Sequence, residues 1–253
     1  MRNRERWVAD TLVELSDTLA PALDPKNYWL RVANRYAQLV TSSSVRLTAV
    51  GDRADRPIVV HTDERLEYPP LGDVLAEEGP GIDCHDDDAP VVNVALDEAE
   101  TRWERLVPAA LALGFRTAHA FPFSRREDVI GEVTILTTEA APLPVADLRM
   151  AIAFADAATI GMLNHRAIAG LTRTSEQLQG ALDSRVIIEQ AKGLVSARLE
   201  IDPADAFLVL RHFARSHNRR LSEVCDLLVS RRMTASDLVG SLPHRATRPD
   251  RRR

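Results

Sequence analysis

Leu182-Asp183-Ser184-Arg185-Val186-Ile187-Ile188-Glu189-Gln190-Ala191-Lys192-Gly193-Leu194 decides how the C-terminal part of this 253-residue chain is read. At about 100° per residue, a helix through 178–199 gathers Ile187, Ile188, Ala191, Leu194 and Val195 on one broad apolar side. Arg185, Glu189, Lys192 and Ser196 fall on a narrow polar stripe beside it. Arg185 and Lys192 are seven residues apart, so they align over two turns. Glu189 stands at i+4 from the first and i−3 from the second, the spacings that let helical side chains pair. Of the 32 basic residues only Lys26 and Lys192 are lysines. An ammonium is a compact point charge suited to a single phosphate, whereas guanidinium is a planar fork. Ala191 and Gly193 leave room beside Lys192. Small residues serve a close helix neighbour as well as a bound ligand, and the residues alone leave both open.

Downstream, Asp202-Pro203 opens a second helix, with Asp202 as N-cap and Pro203 at the first helical position. It runs through Ala206, Phe207, Leu210 and Phe213 to about Ser216. The turn His217-Asn218-Arg219-Arg220 leads to Ser222, a second N-cap candidate, and to a last helix holding Val224, Cys225, Leu227, Leu228 and Val229. Arg211 and Arg215 lie one turn apart on the second helix, and the turn adds Arg219 and Arg220. Basic residues on every helix are what phosphate attraction requires. Those near helix C-termini also offset the dipole. The pair of short helices has a helix-turn-helix outline, but its turn is long and lacks glycine.

Upstream, Pro144 to Pro203 contains no intervening proline and reads as one long or twice-bent helical region, weakened at Gly161, Gly170 and Gly180. Such a helix packs on another, and a parallel homodimeric coiled coil suits it. Before it, helix and strand signals alternate. Helices are expected over 6–20 and 26–41, the latter with Leu30, Ala33, Ala37 and Val40 on its apolar side. Strands are expected at Val45 to Val50, Ile58 to Val60, Val91 to Val94, Thr117 to Phe123 and Val129 to Thr137. A short helix around Leu71 to Ala76 ends at Gly79-Pro80-Gly81, and another covers 100–113. Local turns point to an antiparallel sheet flanked by helices.

Charge divides the chain in the same place. Residues 1–164 carry 16 Lys/Arg against 27 Asp/Glu, and residues 165–253 carry 16 against 10. An acidic unit followed by a basic one suggests different partners for each. No apolar run reaches the roughly 20 residues of a membrane span, so no membrane partner is expected. The opening Met1 to Arg6 is followed by an amphipathic pattern unlike a signal peptide. With only Cys84 and Cys225 as cysteines, a reducing cytoplasm is the expected location.

Residues 182–194, with Asp205-Ala206-Phe207, Leu210-Arg211, Ala214-Arg215 and Asn218-Arg219-Arg220-Leu221, closely resemble the ANTAR domain over about 175–232. The resemblance implies a three-helix RNA-binding module of transcription antitermination, dimeric, that grips paired stem-loops in nascent RNA. By it, Arg185, Ala191, Lys192, Gly193, Arg211, Ala214 and Arg215 fall on the RNA surface or its support, and Arg219 joins them. The cations would meet phosphates or loop bases, and the small residues would permit close approach. Val195-Ser196 departs from the usual Leu/Val-Met, and Cys225 from the usual alanine; both are packing positions.

Residues 8–165 resemble a GAF domain, through Glu78 to Cys84, Trp103 to Gly114, His119 to Phe123, Val129 to Val133 and Ala151 to Leu163. GAF then ANTAR resembles an actinobacterial-type arrangement. It implies a sensor that binds a small ligand or supports a dimer, without naming the ligand. Similar proteins often carry cysteine where Gly81 stands, forming a Cys-x-x-Cys pair with the equivalent of Cys84. Here that pair is broken, which weakens a redox or metal role. The run Asp83-Cys84-His85-Asp86-Asp87-Asp88 reads as a solvated acidic loop, since consecutive residues rarely converge on one ion. Trp103 and His119 read as structural. No Gly-rich phosphate loop or nucleophile–base pair is present, so no enzyme and no cofactor are expected.

The expected fold class is α+β: a GAF-like domain at 8–165, a helical connector at 166–177, an all-α three-helix ANTAR-like domain at 175–238 and a basic, disordered tail at 242–253. The expected function is an RNA-binding antitermination regulator. The alternative is a signalling module whose basic helices dock a protein partner.

Overall fold

The computed structural model describes residues 2–18, 23–51, 56–67, 69–126 and 128–241. The expected tail at 242–253 and Leu19 of the first helix lie outside them. The chain divides into two compact units, Met1–Ile168 and Ala169–Arg253. The long region forms one helix, α6 below, and the expected connector 166–177 lies inside it.

In the N-terminal unit, helices α1 (Arg2–Ser16) and α2 (Pro25–Leu39) precede strands β1 (Ser43–Ala49) and β2 (Ile58–His61). Asp24 caps α2 by accepting from the Lys26 amide at 3.0 Å, which satisfies one orphan donor of the first turn. Helices α3 (Leu71–Val74) and α4 (Pro80–Asp87) lead to β3 (Val91–Ala95). Helix α5 (Leu106–Ala112) then precedes β4 (Thr117–Arg125) and β5 (Asp128–Thr137). The five strands form one antiparallel sheet in the order β2-β1-β5-β4-β3.

Alternation along the strands sorts side chains to two faces. Val45, Leu47, Phe121, Phe123, Val133 and Ile135 pack with Trp29, Tyr36 and Phe154 in one core. Ala118, Ala120 and Leu136 pack with Leu71, Cys84, Trp103 and Phe115 in another. Helices cover both faces, so the expected α+β arrangement, an antiparallel sheet flanked by helices, is the observed one.

Several details differ from the sequence reading. The buried face of α2 is Tyr28, Trp29, Val32, Ala33, Tyr36 and Leu39, whereas Leu30 is 38% exposed; three aromatic rings outweigh an aliphatic stripe as burial partners. Gly79-Pro80-Gly81 opens a helix instead of closing one: α3 already ends at Val74, Gly79 takes φ 126° and Pro80 starts α4. The acidic run at 83–88 is therefore mostly the end of a helix instead of a loop. The helix expected over 100–113 shrinks to α5, preceded by a short 3-10 turn at Leu96–Glu98. The turn at 124–128 contracts because β4 runs to Arg125 and β5 starts at Asp128.

In the C-terminal unit, the last part of α6 (Val145–Leu199) is followed by α7 (Pro203–Ser216) and α8 (Leu221–Val229). Asp202 accepts from the Ala204 amide at 2.9 Å, the cap its sequence position predicts. Ser222 is no cap: α8 starts one residue earlier, after Arg220, which makes no side-chain cap bond. A 3-10 segment at Ala235–Ser241, not foreseen from sequence, closes the unit. Ala191, Val195, Ala206, Val209, Leu210, Phe213, Val224, Cys225, Leu228 and Leu238 form its core. No helix among the described residues is long and apolar enough to cross a membrane.

Candidate nucleic-acid interface

The polar stripe read from the sequence is present on α6. Lys192 Nζ pairs with Glu189 Oε2 at 2.5 Å, and the lysine side chain is 25% exposed against 58% for the glutamate. Arg185, one turn before Glu189, is exposed and has no ion pair among the described residues. Ser196, at the end of the stripe, turns inward: its hydroxyl donates to the Ile201 carbonyl at 2.6 Å and ties α6 to the loop before α7.

Arg211 and Arg215 on α7 are exposed, as is Arg219 in the α7–α8 turn. None of the three has an ion pair among the described residues. The turn is set by Asn218, whose φ is 52°, and by the Arg219 amide donating to the Ala214 carbonyl at 2.8 Å. His217 stacks on Phe213 with ring centroids 4.0 Å apart. The turn is thus held locally, with its arginine side chains left to solvent.

The small residues separate into two kinds. Ala191 and Ala214 are buried in the three-helix core. They present no surface, and what they contribute is close packing beneath the cations. Gly193 is exposed, and a Cβ placed there would meet nothing within 4 Å. Close helix packing within this chain therefore does not explain it.

The stripe also continues upstream. Leu171, Leu178 and Leu182 project onto the same side of α6 as Arg185, Glu189 and Lys192. They are 72%, 63% and 58% exposed. On the opposite flank of α6 a cleft of about 620 Å³ is lined by Leu194, Arg198, Leu199, Leu228, Arg231 and Met233. The sequence shows Arg231 only as part of the basic pair Arg231-Arg232 at the end of the last helix, and Arg198 draws no notice because it stands alone near the end of α6.

In the N-terminal unit the polar and close-packed residues singled out in the sequence lie where α4 meets the sheet. A Cβ on Gly81 would fall 2.5 Å from Thr134 Oγ1 and 3.3 Å from Glu132 Cγ, so α4 rests directly on β5. Burial pushes the Glu132 carboxyl above its usual range, against the influence of His85 and Arg46. His85 Nδ1 lies 3.8 Å from Glu132 Oε2, and Arg46 Nη1 donates to the Leu75 carbonyl at 3.0 Å. Cys84 is fully buried, and burial raises its thiol to about 12, far from the thiolate that redox or metal chemistry needs. Trp103 is buried. Its indole N–H donates to Asp83 Oδ2 at 3.0 Å. His119 is fully enclosed, and its Nδ1 accepts from the Asn93 amide at 2.9 Å. Both residues serve the fold. No group of three or more His, Cys, Asp or Glu among the described residues is placed to hold a metal ion.

The chain thus pairs an antiparallel, helix-covered sheet unit with a three-helix unit that carries exposed cations. Residues 176–229, within the C-terminal unit, match the family model of the ANTAR domain. Solved structures similar to the chain include the GAF3 domain of Slr1393 from Synechocystis sp. PCC6803, at 9% identity and TM-score 0.43. That match covers 58% of this chain and 98% of the other. The GAF domain of an Acinetobacter phosphoenolpyruvate-protein phosphotransferase aligns at 10% identity and TM-score 0.43, over 63% of this chain and 95% of that one. The LuxR-family transcription factor CepR2 of Burkholderia cenocepacia aligns at 18% identity and TM-score 0.45, over 64% and 99%. No curated protein matches the chain.

Proposed function

We propose that this chain is an RNA-binding transcription antitermination regulator. Its ANTAR unit binds paired stem-loops in nascent RNA, and its GAF-like unit senses a signal or supports a homodimer. The observation that carries the reading is the exposed cation set on a matched ANTAR domain. Arg185, Arg211, Arg215 and Arg219 have no carboxylate partner among the described residues, and Lys192 has a single, exposed one. Cations left unpaired in this way are available to phosphates. Sequence would be read in unpaired loops, where base edges are open.

The exposed leucines at 171, 178 and 182 support a second copy of the chain as the partner of α6. If a signal switches the protein, it binds the RNA-competent arrangement more tightly than the other. A gel-shift with the full chain and an RNA carrying two stem-loops tests the reading. Binding that falls with salt by about 0.7 log units per log unit for each phosphate contact is expected. Absence of binding at low salt overturns it. Capture of an acidic protein partner with no RNA affinity would establish the docking alternative instead.

A further inference from the structure

Glu189 is out of place on a phosphate-binding surface. It stands between Arg185 and Lys192 on the stripe, it is 58% exposed, and its carboxylate draws Lys192 toward itself. A carboxylate there repels the phosphates that its neighbours attract, at a spacing where exposed charges still feel one another. Packing does not account for it: the core flank of α6 is built by Ala191 and Val195, with Ile187 and Ile188 packed against it.

Resting on the RNA-binding reading above, we infer that Glu189 is a specificity-determining residue that accepts a hydrogen bond from the exocyclic amine of an unpaired loop base. An ionised carboxylate only accepts. Among base edges, adenine, cytosine and guanine offer an exocyclic amine, and uracil does not. Carboxylate acceptance from a base amine is an established recognition pairing. The geometry suits a single base. Arg185 and Lys192 lie about 10 Å apart along the helix axis, so two phosphate-facing cations flank one acceptor. Gly193, with open space where a side chain would be, leaves the adjoining surface free for the base to approach. The Glu189–Lys192 pair keeps the carboxylate oriented, and a phosphate can take up Lys192 as the amine takes up Glu189.

The test measures binding of the full-length chain and its Glu189→Gln variant to a stem-loop RNA in which each loop position is changed in turn to uridine. The wild type is expected to lose about tenfold at one amine-bearing position. Glutamine both donates and accepts, so the variant is expected to discriminate there by no more than about twofold, while binding unrelated RNA more tightly than the wild type. Matching circular dichroism and melting of the two proteins shows that the fold is intact. If Glu189→Gln strengthens all RNAs alike and keeps the wild-type loop profile, the residue only screens charge and the inference is wrong. A wild type that binds no stem-loop at all overturns the RNA reading itself, a separate outcome.

Discussion

Asp83 holds two neighbours at once: its Oδ2 accepts from Trp103 Nε1 at 3.0 Å and from Arg102 Nε at 2.7 Å. The carboxylate on α4 thereby fixes the segment that leads into α5. Asp83→Ala leaves a buried indole N–H without a partner, and such groups cost roughly 1–3 kcal/mol. Urea unfolding of the variant is expected to show a loss in that range, with a changed Trp103 emission. An unchanged midpoint would show that the bond is not formed in solution.

Gly81 touches the sheet too closely for a side chain. Gly81→Ala is expected to destabilise by about 1–3 kcal/mol, the range of overpacked sites. Thr134→Ala removes the nearest clashing atom, so the double variant should recover part of the loss. A coupling energy near zero in this cycle would disprove the contact.

The pH dependence of stability carries the signature of His119. Burial lowers its pKa from 6.5 to about 4. The unfolded chain therefore binds a proton that the native state refuses between those values. The stabilisation is complete above about pH 6.5 and falls as pH drops through that window to about 4, by an upper limit of roughly 3 kcal/mol. Protonation also removes the acceptor of the Asn93 amide. Unfolding free energy measured from pH 7.5 to 4 should decline accordingly, and an NMR titration should show His119 neutral at pH 6.

Lys192→Ala is expected to weaken stem-loop binding with a modest loss of stability, because the half-buried side chain makes its one ion pair among the described residues with the exposed Glu189. The salt slope should become shallower by about 0.7 for the lost phosphate contact. Equal affinity and slope would remove Lys192 from the interface.

Gly193→Ala separates helix propensity from approach. With nothing near the added methyl, the substitution should stabilise the ANTAR unit by about 0.5–1 kcal/mol. RNA affinity is expected to fall all the same. Ala214→Leu works in the opposite sense: it overpacks the core and lowers stability first.

Much of this architecture is legible in the chain. Asp202-Pro203 announces α7, strand alternation announces the two-faced sheet, and the absence of proline announces α6. What escaped depends on partners remote in sequence. The aromatic face of α2 is chosen by Phe121, Phe123 and Phe154, which no local periodicity reveals. Gly79 reads locally as a terminator, yet it stands at the N-cap of α4 with φ 126°. The candidate interface was legible at its cations. Ala191 and Ala214 were not separable from Gly193 by composition, because small residues serve a tight core and an open surface equally well.

Helix α6 keeps Leu171, Leu178 and Leu182 in solvent across a stretch where Gly170 and Gly180 have no neighbour for a side chain. A lone helix so exposed and twice weakened by glycine holds its shape poorly in water. Under the homodimer reading, the order of this stretch obeys mass action. Diluting the protein would loosen this stretch, while the cations beyond it stay on the three-helix core, so cellular abundance would itself act as an input to regulation.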